Sequence, residues 1–522
     1  MQAIDTERVL IVGAGLAGLY AALKLAPRPV LMISPEPLGA GASSAWAQGG
    51  IAAAMAAADS PADHAADTER AGAGTVDAAV AAYVTNAARE HILDLTRLGT
   101  PFDRDASGGY VMSREAAHSF ARVVRVRGDQ AGHEIMAALI AQVRQTPSVQ
   151  VLEGVMASAL ECRDDAVTGL WVETSGAAPS QPVLLRGTAV LLAGGGSGGL
   201  YALTTNPPRV RGQVIGMAAR AGAVIADAEF VQFHPTAIDT AEDPAPLATE
   251  ALRGEGAILI NRLGERFMTS VHPDAELAPR DVVARAIFAQ TQAGLRPMLD
   301  TRAALGARIL DHYPAVAEAC LRGGIDPSRE PIPVAAAAHY HMGGIEVDLN
   351  GRASLRGLWA CGEASSTGLH GANRLASNGL LEALVYGRAC ALDIAETIGP
   401  AARNAPPVAI AFRAGGCLPD PAAVHRLRQL MTDHVGVLRN AQGLQTALNG
   451  IATLEDATDS VAFRNMTATA TLIAAAALLR EESRGGHFRT DYPAPRPDMA
   501  HRSRLSWHQA LALRDSITKE TA

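Results

Sequence analysis

Four apolar residues, Val9 to Val12, run directly into Gly13-Ala14-Gly15-Leu16-Ala17-Gly18 and then into Leu19-Tyr20-Ala21-Ala22-Leu23-Lys24-Leu25. Strand, glycine turn and helix in that order, with residues 30 to 33 as the next strand, predict a parallel α/β unit that holds a dinucleotide. Gly13 permits the tight turn, Gly15 lets backbone approach a pyrophosphate, and Gly18 lets helix pack on strand. The phosphates would then rest on free N–H groups at the positive end of the helix, along Ala14, Leu16 and Ala17. Ser34 stands where an acidic ribose ligand often follows the second strand, which leaves the ribose contact open.

A chain of 522 residues exceeds one simple core, so two or three domains are expected. Aromatic residues are only 4% of the chain and alanine is abundant, so packing must rest on close helix contacts. The net charge is -8 and no Lys/Arg run could track a phosphate backbone, which speaks against a nucleic-acid partner. An anionic substrate would need a locally positive pocket against that field. Five scattered cysteines without a CxxC argue against a disulfide framework and against a bound metal or iron–sulfur cluster. The first residues lack a secretory pattern, and the richest apolar stretch, residues 466 to 479, is short and carries threonines. A cytoplasmic chain with no membrane partner is expected.

Residues 76 to 98 repeat apolar positions at helical spacing, and residues 189 to 193 form a further strand ending in Gly194-Gly195-Gly196. From about 226 to 341 the texture changes, with more Pro, Arg, Glu and His, as in an inserted domain. Residues 357 to 362 return to strand and turn, leading to Glu363. Residues 400 to 407 read as a linker, and three amphipathic segments near 422–439, 444–459 and 461–480 predict a helical bundle. The expected domains are 1–228 and 342–405 for the cofactor, 229–341 as a cap, and 406–522 as the bundle.

The segment Gly41-Ala42-Ser43-Ser44-Ala45-Trp46-Ala47-Gln48-Gly49-Gly50 is small and glycine-rich, as a loop lying against a cofactor must be. Glu363 is placed to accept hydrogen bonds from cofactor hydroxyls. Residues 376 to 382 read as a helix start capped by Ser377 or Asn378. Its N–H groups, at Gly379 and Leu380, could favour negative charge on a flavin's N1/O2 edge; an ordinary capped helix fits the local sequence equally. Five short segments, around His234, Thr249–Glu250, Arg280, His339 and Arg374, supply guanidinium and imidazole groups that match the geometry of carboxylates.

In order and spacing these motifs resemble the L-aspartate oxidases of the succinate dehydrogenase/fumarate reductase flavoprotein group, from Gly13 to Glu482-Ser483-Arg484-Gly485-Gly486-His487. The resemblance implies an α/β fold: a Rossmann-like FAD-binding domain, an inserted α+β capping domain and a C-terminal helical bundle. Respiratory members carry a histidine that bonds FAD covalently where this chain has Ser43, so FAD is expected to be non-covalent. The implied FAD contacts are Gly13 to Gly18, Ser34, Ser43 to Gly50, Gln213, Glu363, Gly379 and Leu380. His234, His339 and Arg374 would hold substrate carboxylates with Thr249 and Gln232, Arg280 would move the proton with Glu250 beside it, and Glu115 would meet the amino group. Gln213 replaces a usual acid and Gly379 a usual serine. The implied reaction takes L-aspartate to iminoaspartate, with reoxidation by O2 or fumarate and quinolinate synthase as functional partner. The alternatives are a soluble fumarate reductase or succinate dehydrogenase flavoprotein, or a flavin-binding scaffold without turnover.

Overall fold

The computed structural model describes residues 2–400 and 405–521. Strand β1 (Val9–Val12) is buried throughout, and Gly13 follows it with φ of 108°, a conformation that a side chain would strain. A Cβ at Gly13 would also lie 2.3 Å from the Ala193 carbonyl oxygen. Helix α1 (Leu16–Leu25) leaves the turn. It closes tightly because a Cβ on Gly18 would meet the Gly13 carbonyl oxygen at 2.1 Å.

The framework continues through β2 (Val30–Ser34), β3 (Val149–Glu153) and β4 (Val190–Leu192). Next come β5 (Val231–Ile238), α2 (Arg280–Gln292), β6 (Ile332–His341), β7 (Leu358–Ala360) and α3 (Asn378–Thr397). One five-stranded sheet has the order β7-β4-β1-β2-β3, each neighbouring pair parallel. Such a sheet is covered on both faces, which explains the unbroken apolar run Val30, Leu31, Met32 and Ile33, all fully buried.

β5 and β6 pair antiparallel and extend into a four-stranded sheet with Met298–Asp300 and Ile258–Ile260. The sheet has its own buried cluster, drawn from residues 238 to 334. The β5–β6 pair carries the chain into and out of this unit, so residues near 232–234 and 339–341 lie side by side where it meets the parallel sheet. Gln232 pairs with Tyr340 and Val231 with His341.

The three expected C-terminal helices are present: α4 (Pro421–His434), α5 (Ala441–Asp456) and α6 (Val461–Leu479). A fourth, α7 (Trp507–Thr521), was not legible in the sequence. Of the expected linker, residues 401–404 lie outside the described residues. Among the described residues α6 alone is long and apolar enough to cross a membrane, and 83% of that stretch is buried within the protein. It packs on the helix Gln213–Arg220 so closely that a Cβ on Gly216 would sit 2.0 Å from the Asn465 carbonyl oxygen. This is the close helix contact that a chain poor in aromatics requires.

Candidate active site

A cavity of about 790 Å3 runs from the glycine turn to the foot of the cap, within the range of cofactor and ligand sites. Gly13, Ala14, Gly15, Leu16 and Ala17 line one end, with Ser34 at the tip of β2. Ser43, Ser44, Trp46, Ala47, Gln48, Gly49 and Gly50 line it from the following loop, and Gln213, Glu363, Gly379 and Leu380 from elsewhere. Two expected cofactor residues are off the wall. Gly18 is packed inside the turn, and Ala45 belongs to the short turn Ser43–Trp46 without reaching the cavity.

Two helices point their N-termini at this space. Gly15 stands at the N-cap of α1 and offers no side chain there; the Leu16 N–H donates to Ser44 Oγ at 3.2 Å. At α3 the expected side-chain cap is corrected. Ser377 occupies the N-cap with φ of 64° and makes no capping bond, because its hydroxyl donates to Glu115 Oε2 at 3.1 Å. Asn378 turns away to His64 at 2.8 Å and Thr68 at 3.0 Å. The first N–H groups of α3 are thereby left without a side-chain acceptor, at the positive end of the helix dipole. The unusual Gly379 also has a reason: a Cβ there would lie 2.9 Å from Tyr340 Cε2.

Glu363 Oε1 accepts the His341 N–H at 3.0 Å, and burial pushes its carboxyl up to about 7. Ser43 donates to Asn206 Oδ1 at 3.1 Å, and Asn206 donates to the His339 carbonyl at 2.8 Å. No imidazole stands at that point of the loop to attach a flavin.

The other end is cationic. Arg280, at the start of α2, donates through Nε to Glu250 and through Nη1 to Gln232 Oε1 at 3.1 Å. Burial alone would raise the Glu250 carboxyl, but Arg280 and Arg253 outweigh it and hold it below the usual range. Gln232 lines no part of the cavity, contrary to its expected role on the substrate. Its amide braces both arginines, with Nε2 donating to the Arg374 carbonyl at 2.8 Å and to Asn373 Oδ1 at 3.0 Å.

Arg374 lies with its guanidinium 4.5 Å from the centre of the Tyr340 ring, and its buried Nε has no partner. Burial, with Arg280 nearby, lowers it to about 10. Its Nη1 donates to the Leu375 carbonyl at 3.5 Å; a buried guanidinium whose Nε has no partner is costly, and an anion entering the cavity would relieve it. His234 and His339 stand 5.0 Å apart at the same end. Burial, then Arg280 for the first and Arg374 for the second, holds both rings well below the ordinary range, so they are neutral. The Thr236 N–H donates to His234 Nδ1 at 3.2 Å, which assigns the ring proton to Nε2. His339 Nδ1 lies 2.8 Å from Thr205 Oγ1. Thr249 and Glu115 complete the wall; burial and then the Glu250 charge push Glu115 up to about 7. Sequence reasoning missed Tyr340, Asn206 and Arg253, whose spacing carries no sign of where they converge.

The FAD binding domain family matches residues 8–380, and the C-terminal family of fumarate reductase flavoproteins matches residues 455–520. The L-aspartate oxidase of Caulobacter vibrioides is 54% identical over 95% of both chains. That of Agrobacterium fabrum is 47% identical over 97% of this chain and 94% of its own. The chain belongs to the L-aspartate oxidase family. Like other chains with the FAD binding domain, this family member takes FAD as cofactor. The glycine turn, the two open helix ends and the long cavity fit an extended dinucleotide. Its fold is shared more widely. A variant E. coli quinol fumarate reductase chain superposes with a TM-score of 0.84 at 29% identity, over 96% of this chain and 93% of that one. A quinol–fumarate reductase with menaquinol gives 0.83 at 29% identity, over 95% and 94%.

Proposed function

We propose that this chain is an FAD-dependent enzyme that oxidises L-aspartate to iminoaspartate, gripping the four-carbon diacid between residues of the cap and of the FAD-binding unit. Bound FAD would supply the hydride acceptor for the substrate Cα–H as the amino group gives up a proton to solvent, and O2 (giving peroxide) or fumarate would take the electrons on. Arg374 and His339 take one carboxylate; His234 Nε2–H, Thr249 and Arg280 take the other. Guanidinium forks match a carboxylate in two hydrogen bonds, which fixes orientation as well as affinity. The neutral imidazoles donate without adding charge. Glu115, ionised, accepts hydrogen bonds from the ammonium group, the feature that separates aspartate from succinate. Arg280 holds charge beside the reacting carbon and passes the proton when fumarate is the substrate; Glu250 keeps it aimed, and Gln232 braces it from behind.

The observation that carries this reading is Arg374: a fully buried guanidinium on the cavity wall, with Nε unpartnered, facing the same space as Arg280, His234 and His339. Cavity residues come both from the 229–341 cap and from the units 1–228 and 342–405 that flank it, and we assign the domains accordingly, with 406–522 as the helical bundle. The proposal extends to a cytoplasmic enzyme whose iminoaspartate passes to quinolinate synthase at the start of pyridine nucleotide synthesis. Peroxide release on adding L-aspartate in air tests the reading. Turnover confined to succinate and fumarate, with no peroxide from L-aspartate, would make it a fumarate reductase or succinate dehydrogenase chain instead.

A further inference from the structure

We infer that Glu36, not Ser34, is the acid that receives the adenosine ribose hydroxyls of FAD. The Ser34 hydroxyl is already committed, donating to the Glu36 carbonyl at 2.6 Å. Glu36 lines the cavity two residues further on, at its rim, with its side chain one-third exposed (33%).

The turn that carries it is fixed from three sides. Ser34 holds the Glu36 carbonyl, Ser175 Oγ donates to the Pro35 carbonyl at 2.5 Å, and Arg209 donates both to Glu36 Oε1 and to the Ser175 carbonyl, the latter at 2.9 Å. Arg209 occupies one carboxylate oxygen at the rim. The other, Oε2, is engaged by no described residue. Space for the side chain is provided at Gly41, where a Cβ would lie 2.7 Å from Glu36 Cγ.

The neighbouring wall suits the base. β2 pairs with β3 in a register that sets Ser34 against Glu153, so the next residues of the chain, Val155, Met156 and Ala157, line the cavity beside the turn. An apolar strip next to a fixed carboxylate acceptor is what an adenosine requires: stacking for the ring and an acceptor for the 2′ and 3′ hydroxyls. The loop Ser34-Pro35-Glu36 carries the carboxylate past the strand end.

The test uses apoprotein titrated with FAD, and with an FAD analogue whose adenosine lacks both ribose hydroxyls, followed by flavin fluorescence. Wild-type protein is expected to bind FAD about ten- to a hundredfold more tightly than the analogue, the worth of a hydrogen bond to a charged group. Glu36→Gln should bring the two ligands close to equal. Equal binding of both ligands by the wild-type protein overturns the assignment whether or not the variant folds. So does an undiminished preference in E36Q. Wild-type protein saturated with FAD should be bleached by L-aspartate without air; failure there would count against the catalytic reading rather than against the ribose contact.

Discussion

At the scale of single residues, the account rests on charges that are buried and left waiting. Arg374 gives the sharpest consequence. Arg374→Gln removes the cation over the Tyr340 ring and the charge-assisted bonds to a carboxylate, each worth about 1.5–3 kcal/mol. Its KM for L-aspartate is expected to rise by roughly ten- to a hundredfold, while FAD affinity, read by fluorescence, stays near the wild-type value. Glu115 gives a pH signature. Burial and the Glu250 charge raise it to about 7, so below that pH it is neutral and cannot pair with an ammonium. Affinity for L-aspartate is therefore expected to increase as pH rises through about 7. Fumarate, which has no amino group, should not share that rise, and E115Q should flatten the profile for aspartate; an unchanged profile in E115Q would remove Glu115 from amino-group binding. Gly13 and Glu363 were legible in the sequence because their reasons are local: a turn that needs positive φ, a carboxylate just past a strand. Tyr340 and Gln232 were not, since one matters through a guanidinium stacked on it from residue 374 and the other through two arginines on different elements.

At the scale of elements, the opening strand, turn and helix were readable because glycine spacing and apolar runs are properties of neighbours in sequence. The insertion between the two cofactor segments showed as a change of texture, and the cap has its own buried cluster. α7 meets the core through Trp507, Ala510, Leu513 and Ile517 at helical spacing, a stripe that the sequence reading did not pick out; the buried Arg514 among them turns to Glu455 at 3.1 Å and interrupts its apolar character. The N-terminus of α3 was located correctly but its cap was misread, since Ser377 has a partner, Glu115, 262 residues away in the chain. The crossing of α6 over Gln213–Arg220 is the element contact with least room. Gly216→Ala would drive a Cβ against backbone, 2.0 Å from the Asn465 carbonyl oxygen, and overpacking of this kind costs about 1–3 kcal/mol. A lowered melting temperature for G216A is expected, with restoration of FAD affinity at low temperature; an unchanged melting temperature would mean the crossing is slack.

At the scale of the whole molecule, a chain with net charge -8 builds one cationic chamber. The guanidiniums of Arg280 and Arg374 and the two neutral imidazoles converge because β5 and β6 bring the cap back to the FAD-binding unit beside α3. Neither half has the full set: Arg280 and His234 come from within 229–341, Arg374 and Glu115 from outside it. On the proposed reading, a diacid is gripped only where these two sets of residues meet. Sequence order could list these groups but not show that they share one cavity: the β5–β6 pairing sets His234 near His339, and Arg280, Arg374 and Glu115 reach the same space from other segments. The most direct measurement is the flavin absorbance of purified, FAD-loaded protein mixed with L-aspartate in the absence of air. The account predicts loss of the oxidised flavin band on adding L-aspartate and its return on adding fumarate. A flavin band that L-aspartate leaves untouched, in protein shown to hold FAD, would contradict it.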